Sequence, residues 1–589
     1  MVPLRVRFVV SRFIGEVRRF GITPIVYRDG ADTPERLFAM ELRRKKNHYA
    51  AGRFTKMLES GTISNNSSIT PPILMQECVT DVLMELRVDM KQGVYEADGE
   101  IVAFCQAHPS EVIAVISRDN DFLVSKDVPY ATTSLVRYTD DDIELHVLRA
   151  EDTAQSLQLA VPWLPLFGVL TSGDHFDLDK LVPFYEQRCG YHYNGEGHEQ
   201  KKSSPPRKWL EAVARCLRKL EEDTPEMQPP HPHVVLHHVD MFDKWAEFLF
   251  PSDDLGSRSQ NMNLVLEATR YFEAHGVSSV KVYPLYAGVS PSLSLLSAHK
   301  DCLIPRYILN TLVNATWYLY RYPSDPQYRS LHTRSRFIRQ IIYGIILAEN
   351  MRDNVAVVRK GKDKDAGVFV SETMSSGALF TVTPSFFYEA QSADGLCAMR
   401  SCRVPSFEDL WVRFDRGSRR YFFLESLACR DASMMRAPLS HFLIFVSIRL
   451  ILRDQQEKGG ESLILQDYHL KALIFMICVR VNVNVPSGLK VPACPTLADV
   501  TASTYYQIFF SNVSFLNQVC NFPFPPCYAW EAYDGRVFHF LCRHFQSGGT
   551  RAVAASAFYP SNDAQQIELL EKVTQTAALV TEWTRRKED

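Results

Sequence analysis

Apolar residues at Phe8, Val9, Phe13, Ile14, Val17 and Phe20 recur close to the helical period, so residues 3–20 are expected to form an amphipathic helix. The run Ile22-Thr23-Pro24-Ile25-Val26-Tyr27 reads as a strand stopped by the turn pair Asp29-Gly30. Thr33-Pro34 then opens a strongly charged helix through Arg43, Arg44, Lys45 and Lys46, with Pro34 suited to a first helical turn. Residues 60–72 are polar and turn-rich and read as a loop. The helical period returns over 73–85 and again over 96–108, with room for a short strand in 86–94. Val112-Ile113-Ala114-Val115-Ile116 is continuously apolar and rich in β-branched residues, the pattern of a strand buried on both faces.

Strands alternating with helices predict a mainly parallel sheet flanked by helices. In such sheets ligands bind beyond the carboxyl ends of the strands, where Asp29 and the pair Asp119/Asp121 would both emerge. Composition breaks fall at about 190–207 and at 225–232. Beyond them the helical period dominates, over 263–275, 305–321, 334–350, 438–453 and 563–586, with a β-leaning Ser/Thr-rich stretch at 368–388. The expected plan is an α/β domain over 1–190, a linker region over 191–235 and a mostly helical region over 236–589.

At 589 residues the chain is too long for one core. A net charge of −3 excludes global attraction to nucleic acid, so any such role needs a local basic face. Thirteen cysteines without a C-x-x-C pair argue for reduced thiols rather than zinc ribbons or a disulfide framework. Arg5, Arg7 and Arg12 break the N-terminal apolar run, and no stretch reaches the roughly 20 residues of a membrane span, so an intracellular protein is expected.

Four short acidic motifs carry the candidate chemistry. They are Asp29-Gly30, Glu96-Ala97-Asp98, Asp119-Asn120-Asp121 and Ser172-Gly173-Asp174. Six carboxylates converging on one pocket repel one another unless hard cations occupy it, and an oxygen-only donor set suits Mg²⁺ or Mn²⁺. Two ions about 4 Å apart are what metal-assisted phosphodiester hydrolysis needs. Taken singly, Asp29-Gly30 reads first as a turn, Asp119-Asn120-Asp121 as a helix cap, and Asp174 after Gly173 is ambiguous; their joint order and spacing is what points to a site. His231, His233, His237 and His238 read as part of a Pro-rich linker. No P-loop, dinucleotide fingerprint or nucleophile elbow is found.

The order of these motifs resembles the flap-endonuclease/XPG superfamily, and within it the asteroid family. The matching stretches are Arg28-Asp29-Gly30, Tyr95-Glu96-Ala97-Asp98, Asp119-Asn120-Asp121-Phe122 and Ser172-Gly173-Asp174-His175. Pro71-Pro72-Ile73-Leu74, Leu86-Arg87-Val88 and Leu164–Leu170 add asteroid-like context, as does Ile338-Arg339-Gln340-Ile341-Ile342-Tyr343-Gly344 downstream. The resemblance implies a PIN/FEN-like fold, two Mg²⁺ or Mn²⁺ ions held by Asp29, Glu96, Asp98, Asp119, Asp121 and Asp174, and a nuclear location. It places Arg36 and Arg43, seven residues apart on one helix face, against the scissile phosphate, with Arg44 and Lys45 as further nucleic-acid contacts or a solvated basic face.

Two departures shape the expectation. The superfamily begins with a strand bearing a further catalytic Asp, whereas this chain starts in the helix that follows; either the start is misassigned or a strand and a ligand are missing. Residues 176–181 also lack the glycines of a duplex-gripping helix-hairpin-helix, which turns the expected substrate toward single-stranded or overhanging DNA. Two functional readings follow: a metal-dependent endonuclease, or a non-catalytic scaffold of the same fold for protein or RNA partners, with protein contacts through the C-terminal region in either case.

Overall fold

The computed structural model describes residues 2–33, 37–61, 73–139, 142–172, 176–191, 207–225, 227, 229, 239–273, 291–319, 322–325, 330–348, 370–374, 379–385, 387–391, 399–430, 432–457, 463–480, 495–559 and 562–585. The chain divides into two compact units. One comprises Met1–Val26, Glu41–Val94 and Tyr283–Asp589, the other Tyr27–Met40 and Tyr95–Val282.

The chain starts with α1 (Val2–Arg19), β1 (Ile25–Arg28), α2 (Leu37–Glu59), α3 (Met75–Glu85) and β2 (Asp89–Gln92), close to the elements read from periodicity. The buried stripe of α1 meets α3 through Ile14 and Leu83, with Val88 just past α3 in the same cluster and Val10, Phe13 and Val79 beside them. Burying each such side chain is worth about 1.5–3 kcal/mol. The α1–α3 pair is fixed in register at both ends. The Arg7 guanidinium grips Glu85 with two hydrogen bonds of 3.1 and 2.5 Å. Arg18 donates to the carbonyls of Leu86 and Arg87 at 2.8 and 3.1 Å, satisfying acceptors that the end of α3 leaves open.

The second unit holds α4 (Ala97–Ala107), β3 (Val115–Ser117), β4 (Tyr130–Thr132), β5 (Arg137–Tyr138) and β6 (Ile143–Glu144). Strands β3 and β4 run parallel, with Val115 opposite Tyr130 and Ser117 opposite Thr132. The strand expected over 112–116 is therefore displaced and short, and it is not buried on both faces: Ile113 is 56% and Ile116 36% exposed. A parallel strand is buried on both faces only where helices cover both, and here the pairing of β3 with β4 extends over three residues only. Helices α5 (Ala150–Leu157), α6 (Leu164–Thr171), α7 (Val182–Gln187), α8 (Arg207–Asp223), α9 (Val239–Leu249) and α10 (Leu255–Glu273) complete the unit. They share one core in which Trp163, Leu170, Tyr185, Trp209, Trp245 and Phe250 are all buried.

In the remainder of the first unit, α11 (Leu293–Lys300) is followed by α12 (Arg306–Asn314) and β7 (Thr316–Leu319). One helix over 305–321 was the expectation. Instead Ala315 takes a left-handed conformation and Thr316-Trp317-Tyr318-Leu319 turns into a strand, because these β-preferring residues find a partner in β8 (Val370–Met374). Helix α13 (Arg336–Leu347) lies between β7 and β8 in sequence, and β9 (Leu379–Val382) pairs antiparallel on the other side of β8. Gly344 of α13 approaches the backbone so closely that an added Cβ would lie 1.9 Å from the Ser385 carbonyl oxygen. Only glycine fits there. The antiparallel pair β10 (Phe387–Gln391) and β11 (Met399–Arg403) precedes α14 (Arg416–Ser426), α15 (Phe442–Glu457), α16 (Asp467–Arg480), α17 (Leu497–Val519), α18 (Gly535–Gln546), α19 (Arg551–Phe558) and α20 (Asp563–Arg585).

Helices dominate the described residues, and strands occur in four pairs and one three-stranded sheet. The architecture is α/β in the loose sense that helices flank small sheets, two of which contain parallel neighbours. No described helix is long and apolar enough to cross a membrane.

Candidate functional site

Two of the acidic motifs meet at the N-terminus of α4. Strand β1 ends one residue before Asp29, and Gly30 donates its N–H to the Tyr95 carbonyl at 2.5 Å. That contact brings the Asp29 carboxylate to the first turn of α4, where Oδ1 accepts the Ala97 N–H at 3.2 Å across 68 residues of sequence. Glu96 is the N-cap residue of this helix and Asp98 lies in its first turn. Three carboxylates thus gather where the free N–H groups and the helix dipole favour negative charge.

The third motif is built on β3. Ser117 Oγ accepts the Asp119 N–H at 3.0 Å, and Asp119 Oδ1 accepts the Asp121 N–H at 3.1 Å, capping the 3₁₀ turn Asn120–Val124. Phe122 of that turn is buried and stacks on Tyr130 of β4 at 6.2 Å. Burial raises the Tyr130 hydroxyl's pKa, and the nearby Asp119 charge adds to the rise. The two acidic groups flank one small core: Val102 and Cys105 of α4 pack with Phe122, Val128 and Tyr130. Asp174 and Arg36 lie outside the described residues, as do His231, His233, His237 and His238. Arg43, Arg44 and Lys45 fall within α2, but their side chains are outside the described set.

Among the described residues, one trio of His, Cys and carboxylate groups has its ligand atoms within 4.8 Å of one another, and it comes from none of the four motifs. It is His469, Asp499 and Cys542, all buried. Sequence reading missed it because the three residues sit on α16, α17 and α18 with no motif spacing; the only local signal is a histidine three residues into a helix. Hydrogen bonding defines what the trio is. The Gln466 N–H donates to His469 Nδ1 at 3.1 Å, so the ring proton lies on Nε2, 3.0 Å from Asp499 Oδ1. Tyr468 donates its hydroxyl to the same oxygen at 3.2 Å. A metal on Nε2 would force a proton onto Nδ1, facing another donor, whereas ligating histidines donate from their second nitrogen. The Cys542 thiol is pushed up by burial and then by the Asp499 charge, and so stays protonated. These residues form a closed structural network.

His539 of α18 faces this network. Burial lowers its pKa to about 4, with Asp499 opposing the fall, His469 adding to it and Asp534 opposing it. Between that value and the ordinary imidazole value near 6.5 the unfolded chain binds more protons than the folded one, so stability rises with pH across this window. Acidification from pH 6.5 to 5 should cost up to about 1.4 kcal/mol per pH unit from this group. The check is urea unfolding at several pH values in wild type and His539→Gln, whose slope in that window should be shallower. Equal slopes would show that His539 is solvated.

No family model, no curated protein and no solved structure matches this chain.

Proposed function

We propose that this chain is a divergent, asteroid-like member of the flap-endonuclease/XPG superfamily, with a PIN/FEN-like catalytic unit that cleaves single-stranded or overhanging DNA in the nucleus. The observation that carries this reading is the Asp29–Ala97 hydrogen bond, which seats the first acidic motif on the helix start formed by the second. The Asp119-Asn120-Asp121 turn then borders the same small core.

The donor set fits hard divalent ions in its chemistry, because every candidate group is a carboxylate. Asp29, Glu96, Asp98, Asp119, Asp121 and Asp174 would hold two Mg²⁺ or Mn²⁺ ions. Bound there, the ions would make water acidic enough to attack and would stabilise charge on the leaving oxygen. The chain's own contribution is orientation. Ala97 N–H holds the Asp29 carboxylate, and the 3₁₀ turn holds Asp119 and Asp121. Arg36 and Arg43 would supply the positive charge that the phosphate needs.

A scaffold without catalysis is the second reading. It is favoured by the structural work these acids already do: Asp119 caps its own turn and Asp29 receives a helix N–H.

Metal titration separates the two. On the nuclease reading, saturating Mg²⁺ or Mn²⁺ raises the melting temperature and EDTA reverses the gain, since cations relieve carboxylate repulsion. Identical melting curves in metal and in EDTA would leave the scaffold standing.

A further inference from the structure

Strand β11 ends at Arg403, and the chain then enters a π-helical turn, Asp409–Arg413, closed by the Phe414 N–H on the Asp409 carbonyl at 2.8 Å. Such turns are rare and are frequent at functional sites. Val412 and Phe414 are turned outward here, 62% and 36% exposed. Phe414, Arg403, Val404 and Pro405 line a cleft of about 240 Å³, with Ser406 and Asp409 on its polar side. Those two satisfy each other: Asp409 Oδ2 accepts the Ser406 N–H and hydroxyl at 3.1 and 2.9 Å, while Arg413 neutralises Oδ1 at 2.6 Å. The exposed Arg403 side chain has no partner among the described residues. Two residues past Phe414, α14 brings further positive charge. Arg416 and Arg420, one turn apart, aim Nε at a single acceptor, the Pro523 carbonyl, at 3.2 and 2.9 Å. Arg419 reaches the Leu410 carbonyl of the π turn at 3.3 Å, and its buried Nε has no hydrogen-bond partner. Among the described residues none of these three guanidinium groups is paired with a carboxylate. Asp415 beside them is engaged as the N-cap, accepting the Ser418 N–H at 2.7 Å.

We propose that this surface binds single-stranded nucleic acid, with a base seated in the cleft against Phe414 and phosphates held by Arg403 and by the Arg416–Arg420 pair. Two like charges gathered on one neutral oxygen repel each other, and a phosphodiester that accepts from both relieves the repulsion. Each guanidinium uses only Nε on Pro523, so its terminal nitrogens remain as donors. The exposed ring of Phe414 offers the flat face on which any base can stack, and a positive groove beside such a ring is the usual design of a single-strand site. The cleft is smaller than the roughly 300–1,000 Å³ of an enclosed small-molecule pocket, which suits one base of a longer strand. An acidic peptide would meet the same cations but would leave Phe414 and the cleft unused. The site lies in the first unit, on residues far in sequence from the acidic motifs, so the proposal holds whether those motifs cleave or belong to a scaffold.

The experiment follows binding of a short fluorescein-labelled oligothymidylate to the full chain by anisotropy, in EDTA so that cleavage cannot intervene, over a series of salt concentrations. Arg416→Gln with Arg420→Gln should weaken binding and make the slope of log K against log salt shallower by about 1.4, since each phosphate contact on a single strand contributes about 0.7. Phe414→Ala should weaken binding about tenfold and leave the slope unchanged, because stacking is not ionic. Arg403→Ala should lower the slope by about 0.7. Arg403 has no partner to lose in the folded chain, so this variant keeps the proposal testable if the α14 double variant fails to fold. Polyglutamate should displace the labelled strand far less well than unlabelled oligothymidylate. A wild type that does not bind, salt slopes that stay the same in both arginine variants, or polyglutamate that competes as well as the oligonucleotide would overturn the proposal, the last in favour of an acidic peptide.

Discussion

Converting Asp119 and Asp121 together to Asn should lower metal-dependent cleavage of single-stranded or overhanging DNA by at least about 10²-fold while leaving the fold intact. Losing two anionic ligands removes the charge that would hold a metal against the developing transition state, and effects of this kind run to several kcal/mol. The structure explains why the fold survives. Asp119 acts locally through Oδ1, which accepts the Asp121 N–H, and an Asn Oδ1 accepts the same donor. Asp121 is only half-buried, and Asn keeps its shape. DNA binding should persist or tighten, because less negative charge meets the phosphates. The measurements are cleavage of a labelled oligonucleotide with Mn²⁺ and with EDTA, beside circular dichroism of both proteins. A wild type without metal-dependent cleavage, or a double variant that cuts equally well, would end the nuclease reading.

The largest stability effect is expected at Glu372 of β8. Its carboxylate is fully buried and accepts hydrogen bonds from Arg339 Nε at 2.7 Å, Arg336 Nε at 3.0 Å and the Tyr343 hydroxyl at 3.0 Å. Burial alone would raise the Glu372 pKa, but the Arg339 charge and then that of Arg336 overcome it, so the group is held below the usual carboxylate range. Glu372→Gln keeps the volume but leaves the fully buried Arg339 guanidinium without its counter-charge. Breaking a buried pair in this way costs about 3–5 kcal/mol. Replacing both partners, as Arg339→Met with Glu372→Leu, should cost less than the single change, because the fully buried charge is gone and the Arg336 guanidinium left without Glu372 is partly exposed to solvent. Urea unfolding of the three proteins checks this. A loss below about 1 kcal/mol in Glu372→Gln would mean that water or another anion reaches Arg339.

The α13 motif shows how far a local pattern can be read. Its helical period is plain in Ile338–Gly344, and the helix forms. Nothing local reveals that Arg339 and Tyr343 both reach Glu372, or that Gly344 is required by the Ser385 backbone. The comparison in the acidic site is similar. That Asp29 would end a strand, Asp98 begin a helix and Asp119 cap a turn follows from residues within a few positions of each.

Periodicity, turn residues and caps act over one or two helical turns, so the sequence by itself determined where α1, α3, α4, α13 and α20 lie and where the acidic motifs sit on them. Tertiary structure decided what depends on a distant partner. It left Ile113 and Ile116 exposed beside a short neighbour, made a strand of Thr316–Leu319 when β8 offered an edge, and brought Asp29 to Ala97. In each case the deciding energy is burial or a hydrogen bond between residues far apart in the chain, and no window of sequence contains both.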